Sequence, residues 1–160
     1  MVKVIDNFLP LESFQKLKWN LTANTMFPYY FQNGKDYPIG DKKSEKMLDQ
    51  FQFVHLFYNP LCGMVSEYPR WKDIVKPYAD RLVSTAILRI KANLNIATKE
   101  FITREFHTDF NIECKTAVIY INTNNGYTLF EDGNKVESVE NRVVIFDSHM
   151  RHAGIPCTDE

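Results

Sequence analysis

Cysteine is scarce in this chain and never arranged to work in pairs. Cys62, Cys114 and Cys157 are odd in number, far apart and outside any Cys-x-x-Cys spacing, which argues against a disulfide scaffold and against zinc knuckles. Charge of one sign is also lacking. The formal net charge is −1, and no Lys/Arg run is long enough to track a phosphate backbone, so nucleic acid is not expected as an obligatory partner. No apolar run approaches the length of a bilayer span, and Met1-Val2-Lys3-Val4-Ile5-Asp6 lacks the apolar stretch of a secretory signal. The expectation is a soluble, cytoplasmic protein with reduced thiols and no membrane partner. Internal repeats, low-complexity segments and linkers are missing as well, so the 160 residues read as one domain.

What the chain does contain is apolar and aromatic bulk, 44% and 14% of its residues, in patterns that change along its length. Asp6 to Pro10 reads as the start of a helix, after which Leu11, Phe14, Leu17 and Leu21 recur at helical spacing. This helix is expected to pack on the outside of a sheet. From Phe27 to Lys43 the pattern fails, with Pro28, Asn33, Gly34, Pro38 and Gly40 marking an irregular aromatic loop suited to a lid, a substrate wall or a plain surface loop. Phe51 to Tyr58 has the alternation of a strand that Asn59-Pro60 ends, and His55 within it reads as a structural residue. A second helix presents Trp71, Ile74, Val75, Tyr78 and Leu82, with Pro77 expected to kink or divide it.

From Ala86 to Ile96 small and apolar residues alternate with Arg89, Lys91, Asn93 and Asn95, which predicts a strand with one polar face. Short strands follow at Thr116 to Ile121, Tyr127 to Phe130 and Arg142 to Phe146, punctuated by Asn124-Asn125-Gly126 and Asp132-Gly133-Asn134. Such spacing describes an antiparallel meander or Greek key. The fold class is therefore mostly β with flanking helices, a jelly-roll core from about residue 84 and helical support before about residue 83.

His107-Thr108-Asp109 carries the chemistry. In an extended segment residues i and i+2 share a face, so this histidine and carboxylate can reach one ion. With a later histidine they would make the two-His, one-carboxylate face of non-haem Fe(II) oxygenases, which leaves positions open for a co-substrate and dioxygen. Four histidines and ten aspartates in 160 residues give a chance His-x-Asp roughly a quarter of the time, so context has to decide. Val143 to Phe146 predicts a buried strand and Asp147-Ser148 the turn that ends it, after which either His149 or His152 would face the metal.

The stretches LRIKANL, FHTDF, KTAVIYINTNNGYTLFEDG and NRVVIFDSHMRHAG, in that order between about Leu88 and Thr158, resemble the 2-oxoglutarate and Fe(II)-dependent dioxygenase superfamily, nearest to its prolyl-4-hydroxylase-like bacterial and phage members. The resemblance implies a double-stranded β-helix, the cupin-like jelly roll, with His107 and Asp109 at the start of a core strand. It favours His152 over His149 as the third ligand, through the pattern FDSxxxHxG. It implies Fe(II), 2-oxoglutarate and O2, with ascorbate as an accessory reductant, and hydroxylation of a peptidyl or small-molecule substrate with release of succinate and CO2.

Members of that superfamily hold the distal carboxylate of 2-oxoglutarate with a basic residue, usually arginine, on the strand after the distal histidine. The sequence reaches Glu160 first, which predicts a C-terminal truncation lacking the last core strand and an exposed sheet edge that favours pairing with a second copy. A buried carboxylate needs a partner, and by strand logic Arg89, Lys91 and Arg142 are the nearest cations, with Asn93 as a hydrogen-bond donor. The alternatives are a cupin-like metal- or ligand-binding module and an inactive oxygenase fold serving as an interaction protein.

Overall fold

A computed structural model describes residues 1–32, 51–102 and 105–159. Among them the chain is mostly β, with ten strands in three antiparallel sheets and two α-helices. It divides into two compact units, one of Leu11–Asn95 and one that joins Met1–Pro10 to Ile96–Glu160. This division differs from a boundary near residue 83 for a reason of strand pairing. The first strand, β1 (Lys3–Ile5), belongs to a sheet of the C-terminal residues, whereas the strand after residue 84 pairs back with the N-terminal half. No helix among the described residues is long and apolar enough to cross a membrane.

The unit of Leu11–Asn95 contains helices α1 (Leu11–Thr22) and α2 (Trp71–Leu82), which touch one another, and strands β2 (Tyr30–Gln32), β3 (Gln52–Asn59), β4 (Met64–Val65) and β5 (Ile90–Leu94). Strand β3 is the organising element, pairing with β2, β4 and β5. Helix α1 buries Phe14 and Leu17 and leaves Leu11 exposed, a narrower apolar stripe than its spacing suggested. Helix α2 runs unbroken through Pro77, burying Ile74 and Val75. Proline costs this helix one carbonyl partner a turn earlier, and the buried Ile74 and Val75 face favours a continuous helix.

The loop expected from Phe27 is in part ordered structure. Phe27 is buried against His55, Phe57 and Tyr68, and β2 adds an edge strand to β3. Residues 33–43 of that loop lie outside the described residues. His55 is structural as read from its sequence context: it is 2% exposed, with Nδ1 2.7 Å from the Pro28 carbonyl oxygen and Nε2 2.9 Å from Ser66 Oγ. A carbonyl only accepts, so Nδ1 carries the proton and the Ser66 hydroxyl donates to Nε2.

The other unit holds β1 and strands β6 (Lys115–Ile119), β7 (Tyr127–Phe130), β8 (Lys135–Glu137), β9 (Val143–Asp147) and β10 (His152–Ile155). They form two sheets, ordered β1-β9-β6 and β10-β7-β8. The chain does not run as a simple meander, because the Asn124-Asn125-Gly126 corner carries it from one sheet into the other. Strand β9 then returns beside β6, and β10 beside β7. Phe130 and Val136 from one sheet and Val144 and Phe146 from the other form a shared buried core, and the Phe130 and Phe146 rings meet edge to face at 5.0 Å. Burying each such ring contributes about 1.5–3 kcal/mol. Aligning the strands this way brings the end of β9, the turn after it and the start of β10 together at one mouth of the unit.

Candidate metal centre

At that mouth the expected His-x-Asp strand is reduced to a single bridge. His107 and His152 exchange both main-chain hydrogen bonds at 2.9 Å, and Asp109 N–H donates to the Ser148 carbonyl at 3.1 Å. Residues directly opposite in an antiparallel pair project to the same side, so the bridge sets the two imidazoles beside each other, ring centres 4.6 Å apart. The i, i+2 relation then brings the Asp109 carboxylate to that side. Among the described residues these three side chains are the group able to hold a metal ion, each offering a ligand atom within 4.8 Å of the others.

Specific contacts orient the His152 donor. His152, 7% exposed, has Nδ1 3.0 Å from the Met150 carbonyl, so that nitrogen carries the proton and Nε2 presents a lone pair. Nε2 stands 3.7 Å from Asp109 Oδ2, too long for a hydrogen bond. Two ligands with bonds of about 2.1 Å at right angles lie about 3 Å apart, so an ion would draw this pair closer by less than about 1 Å. The ring of Phe146, centred 4.7 Å from that of His152, walls the site on its core side. The donor set of two nitrogens and one carboxylate oxygen fits a first-row divalent metal such as Fe(II).

His149 and Arg142 are not brought into that cluster. His149 is exposed in the turn between β9 and β10 and is not brought into the cluster. Asp147 adjoins Ser148 in sequence but is bound by Lys115 and the terminal ammonium, which hold its carboxyl down to about 2. Arg142 lies at the opposite end of β9 from Ser148, about 20 Å away at roughly 3.3 Å per residue. Its guanidinium is engaged by both Asp6 oxygens at 2.6 and 3.1 Å, so it is not brought to the metal cluster. Arg89 and Asn93 belong to the other unit. Asn93 is exposed on β5 opposite Val54 of β3, Lys91 is exposed on the same strand, and Arg89 immediately precedes it.

Sequence reasoning missed Thr116 and Ser148. The Thr116 hydroxyl donates to Asp109 Oδ2 at 2.9 Å and lies 2.8 Å from Ser148 Oγ. Ser148 follows Phe146-Asp147 in the motif already singled out, where it reads as a turn residue. Nothing local marks Thr116. No family model matches this chain, and no match to it was found among the curated proteins.

Proposed function

We propose that this chain is an Fe(II)- and 2-oxoglutarate-dependent oxygenase of the double-stranded β-helix type, a hydroxylase of a peptidyl or small-molecule C–H bond. The observation that carries this reading is the convergence of His107, Asp109 and His152 within 4.8 Å at the mouth of a two-sheet unit. The return of β9 beside β6 and β10 beside β7 supports the barrel-like topology.

His107, Asp109 and His152 would hold the iron. Bound there, iron supplies the redox step in which dioxygen oxidises 2-oxoglutarate to succinate and CO2 while its second oxygen atom enters the substrate C–H bond. The protein's residues supply orientation and shelter. Met150 fixes the His152 tautomer, Thr116 directs the Asp109 carboxylate, and Phe146 with Phe130 keeps water from the rear of the His152 ring.

Anaerobic titration with Fe(II) tests the reading. One ion should bind per chain, and addition of 2-oxoglutarate should produce a metal-to-ligand charge-transfer band. His107→Ala and Asp109→Ala should each abolish stoichiometric binding, and His149→Ala should not. Unchanged binding in both of the first two variants refutes the assignment. Metal binding with neither the band nor succinate release would instead leave a cupin-like metal-binding module.

A further inference from the structure

The Asp109 carboxylate is the end point of a chain of donors. Thr116 Oγ1 is 2.9 Å from Asp109 Oδ2, Ser148 Oγ is 2.8 Å from Thr116 Oγ1, and Cys114 Sγ is 3.2 Å from Ser148 Oγ. A hydroxyl and a thiol each have one proton to give, and an ionised carboxylate has none. Thr116 therefore spends its proton on Asp109 and must accept from Ser148. Ser148, having spent its own, must accept from Cys114.

Every proton in the chain is assigned, and all point toward the carboxylate. Ser148 is fully buried, so water does not compete for it. Its backbone is fixed as well: Ser148 N–H donates to the Cys114 carbonyl at 3.0 Å, and its own carbonyl accepts from Asp109 N–H at 3.1 Å. Cross-strand pairing places Thr116 opposite Phe146, whose ring packs on His152. One strand pair thus supports both the carboxylate and an imidazole.

We infer that Thr116 and Ser148 are positioning residues that set the rotation of the Asp109 carboxylate before any ion arrives. The inference rests on the metal-centre reading above. A carboxylate turns readily about its terminal bond, and each orientation that faces away from the two imidazoles weakens binding. Removing the partner that orients a ligating group typically lowers metal affinity about 10- to 100-fold. The threonine stem needs no separate explanation, because valine would serve a strand equally well.

Co(II) titration followed by visible absorption and calorimetry separates these roles, with near-UV circular dichroism of the metal-free protein as the control for folding. Thr116→Val keeps the shape and removes the hydroxyl; its Kd for Co(II) should rise about 10- to 100-fold. Thr116→Ser should bind nearly as wild type. Ser148→Ala, which removes the donor to Thr116, should show a smaller loss. A folded Thr116→Val protein with wild-type affinity overturns the inference, as does a Thr116→Ser protein as weak as Thr116→Val. Should Thr116→Val fail to fold, Ser148→Ala decides: weakened binding sustains the inference and wild-type binding overturns it. Wild-type protein that takes up no Co(II) removes the metal centre itself, a result distinct from either of these.

Discussion

Asn141 offers a way to separate buried hydrogen bonding from backbone strain. Its side chain clamps one residue of the N-terminal segment at both backbone groups: Oδ1 accepts from Leu9 N–H at 2.8 Å, and Nδ2 donates to the Leu9 carbonyl at 2.9 Å. Leu9 and Asn141 are 2% and 6% exposed, so water does not replace those bonds. Asn141 also has a φ of 59°, in the left-handed region that asparagine tolerates better than most residues.

Asn141→Ala removes both bonds and leaves a buried N–H and a buried carbonyl without these partners, at about 1–3 kcal/mol each. Holding alanine in the left-handed region adds about 1 kcal/mol. The expected loss is about 3–5 kcal/mol, since neighbours relax around such a change. Asn141→Gly loses the same bonds without the steric strain and should be milder by about 1 kcal/mol. Asn141→Asp keeps the acceptor but turns a buried, ionised oxygen toward the Leu9 carbonyl, so at neutral pH it should destabilise no less than alanine. Urea unfolding midpoints, read with their slopes, measure all three. An alanine variant within about 1 kcal/mol of wild type refutes the hydrogen-bond reasoning, and glycine as damaging as alanine refutes the conformational part.

Two further perturbations test the fold around its other constrained positions. Burial of His55 holds its imidazole below the ordinary value of 6.5, although the Pro28 carbonyl pulls the other way. The unfolded chain therefore takes up a proton first as pH falls below about 6.5, so this contribution to stability is complete above that pH and is lost down to the folded value. Unfolding midpoints between pH 7.5 and 5.0 should drop in the wild-type protein more steeply than in His55→Gln, and parallel curves would count against it. At Gly126 an added Cβ would meet the Ile155 carbonyl oxygen at 2.9 Å and the Cys157 nitrogen at 3.0 Å, both backbone atoms. Gly126→Ala should cost about 1–3 kcal/mol in thermal unfolding, and a loss under about 0.5 kcal/mol would show that the corner yields freely.

Elements with a long regular pattern were legible, and those defined by their partners were not. The helical spacing of Phe14 and Leu17, the alternation in β3 and the apolar run of β9 each announce themselves locally. Strands β1, β2, β4 and β8 are two or three residues long and exist because a longer neighbour supplies their hydrogen bonds. Strand β5 shows the reverse case. Its alternation runs from Ala86 to Ile96, yet the ladder covers Ile90–Leu94, and Leu94 and Ile96 are 44% and 45% exposed. Pairing with β3 ends at Phe53, opposite Leu94, just after β3 begins. Alternation describes a pleat and not the length of the strand beside it.

The same distinction runs through the site. His107 and Asp109 share two-residue spacing, so their common side could be read directly. The choice between His149 and His152 turned on where a bend stops and a strand begins. Met150 N–H closes a turn onto the Asp147 carbonyl at 2.8 Å, leaving His149 outside in the turn while His152 opens β10. Thr116 was invisible because its role depends on the register of β6 against β9, a long-range relation that no spacing within either strand encodes.

That register also gives the three donors unequal support. His152 belongs to a strand with a continuous ladder to β7, whereas the segment carrying His107 and Asp109 pairs with β10 at the isolated His107–His152 bridge, beside the Asp109 N–H bond to Ser148 and the Thr116 hydroxyl bond to the Asp109 carboxylate. An ion shared by all three would tie the sparsely paired segment to the ladder. Its binding energy would then stabilise the closed arrangement over any state in which that segment has parted from β10, by an amount that grows with ion concentration. The chain of donors from Cys114 through Ser148 and Thr116 limits how much ordering must be done at that moment, because it holds the carboxylate from the firmly paired side, β6 and β9. The sparsely paired segment thus brings its carboxylate to a place set by the β6–β9 ladder.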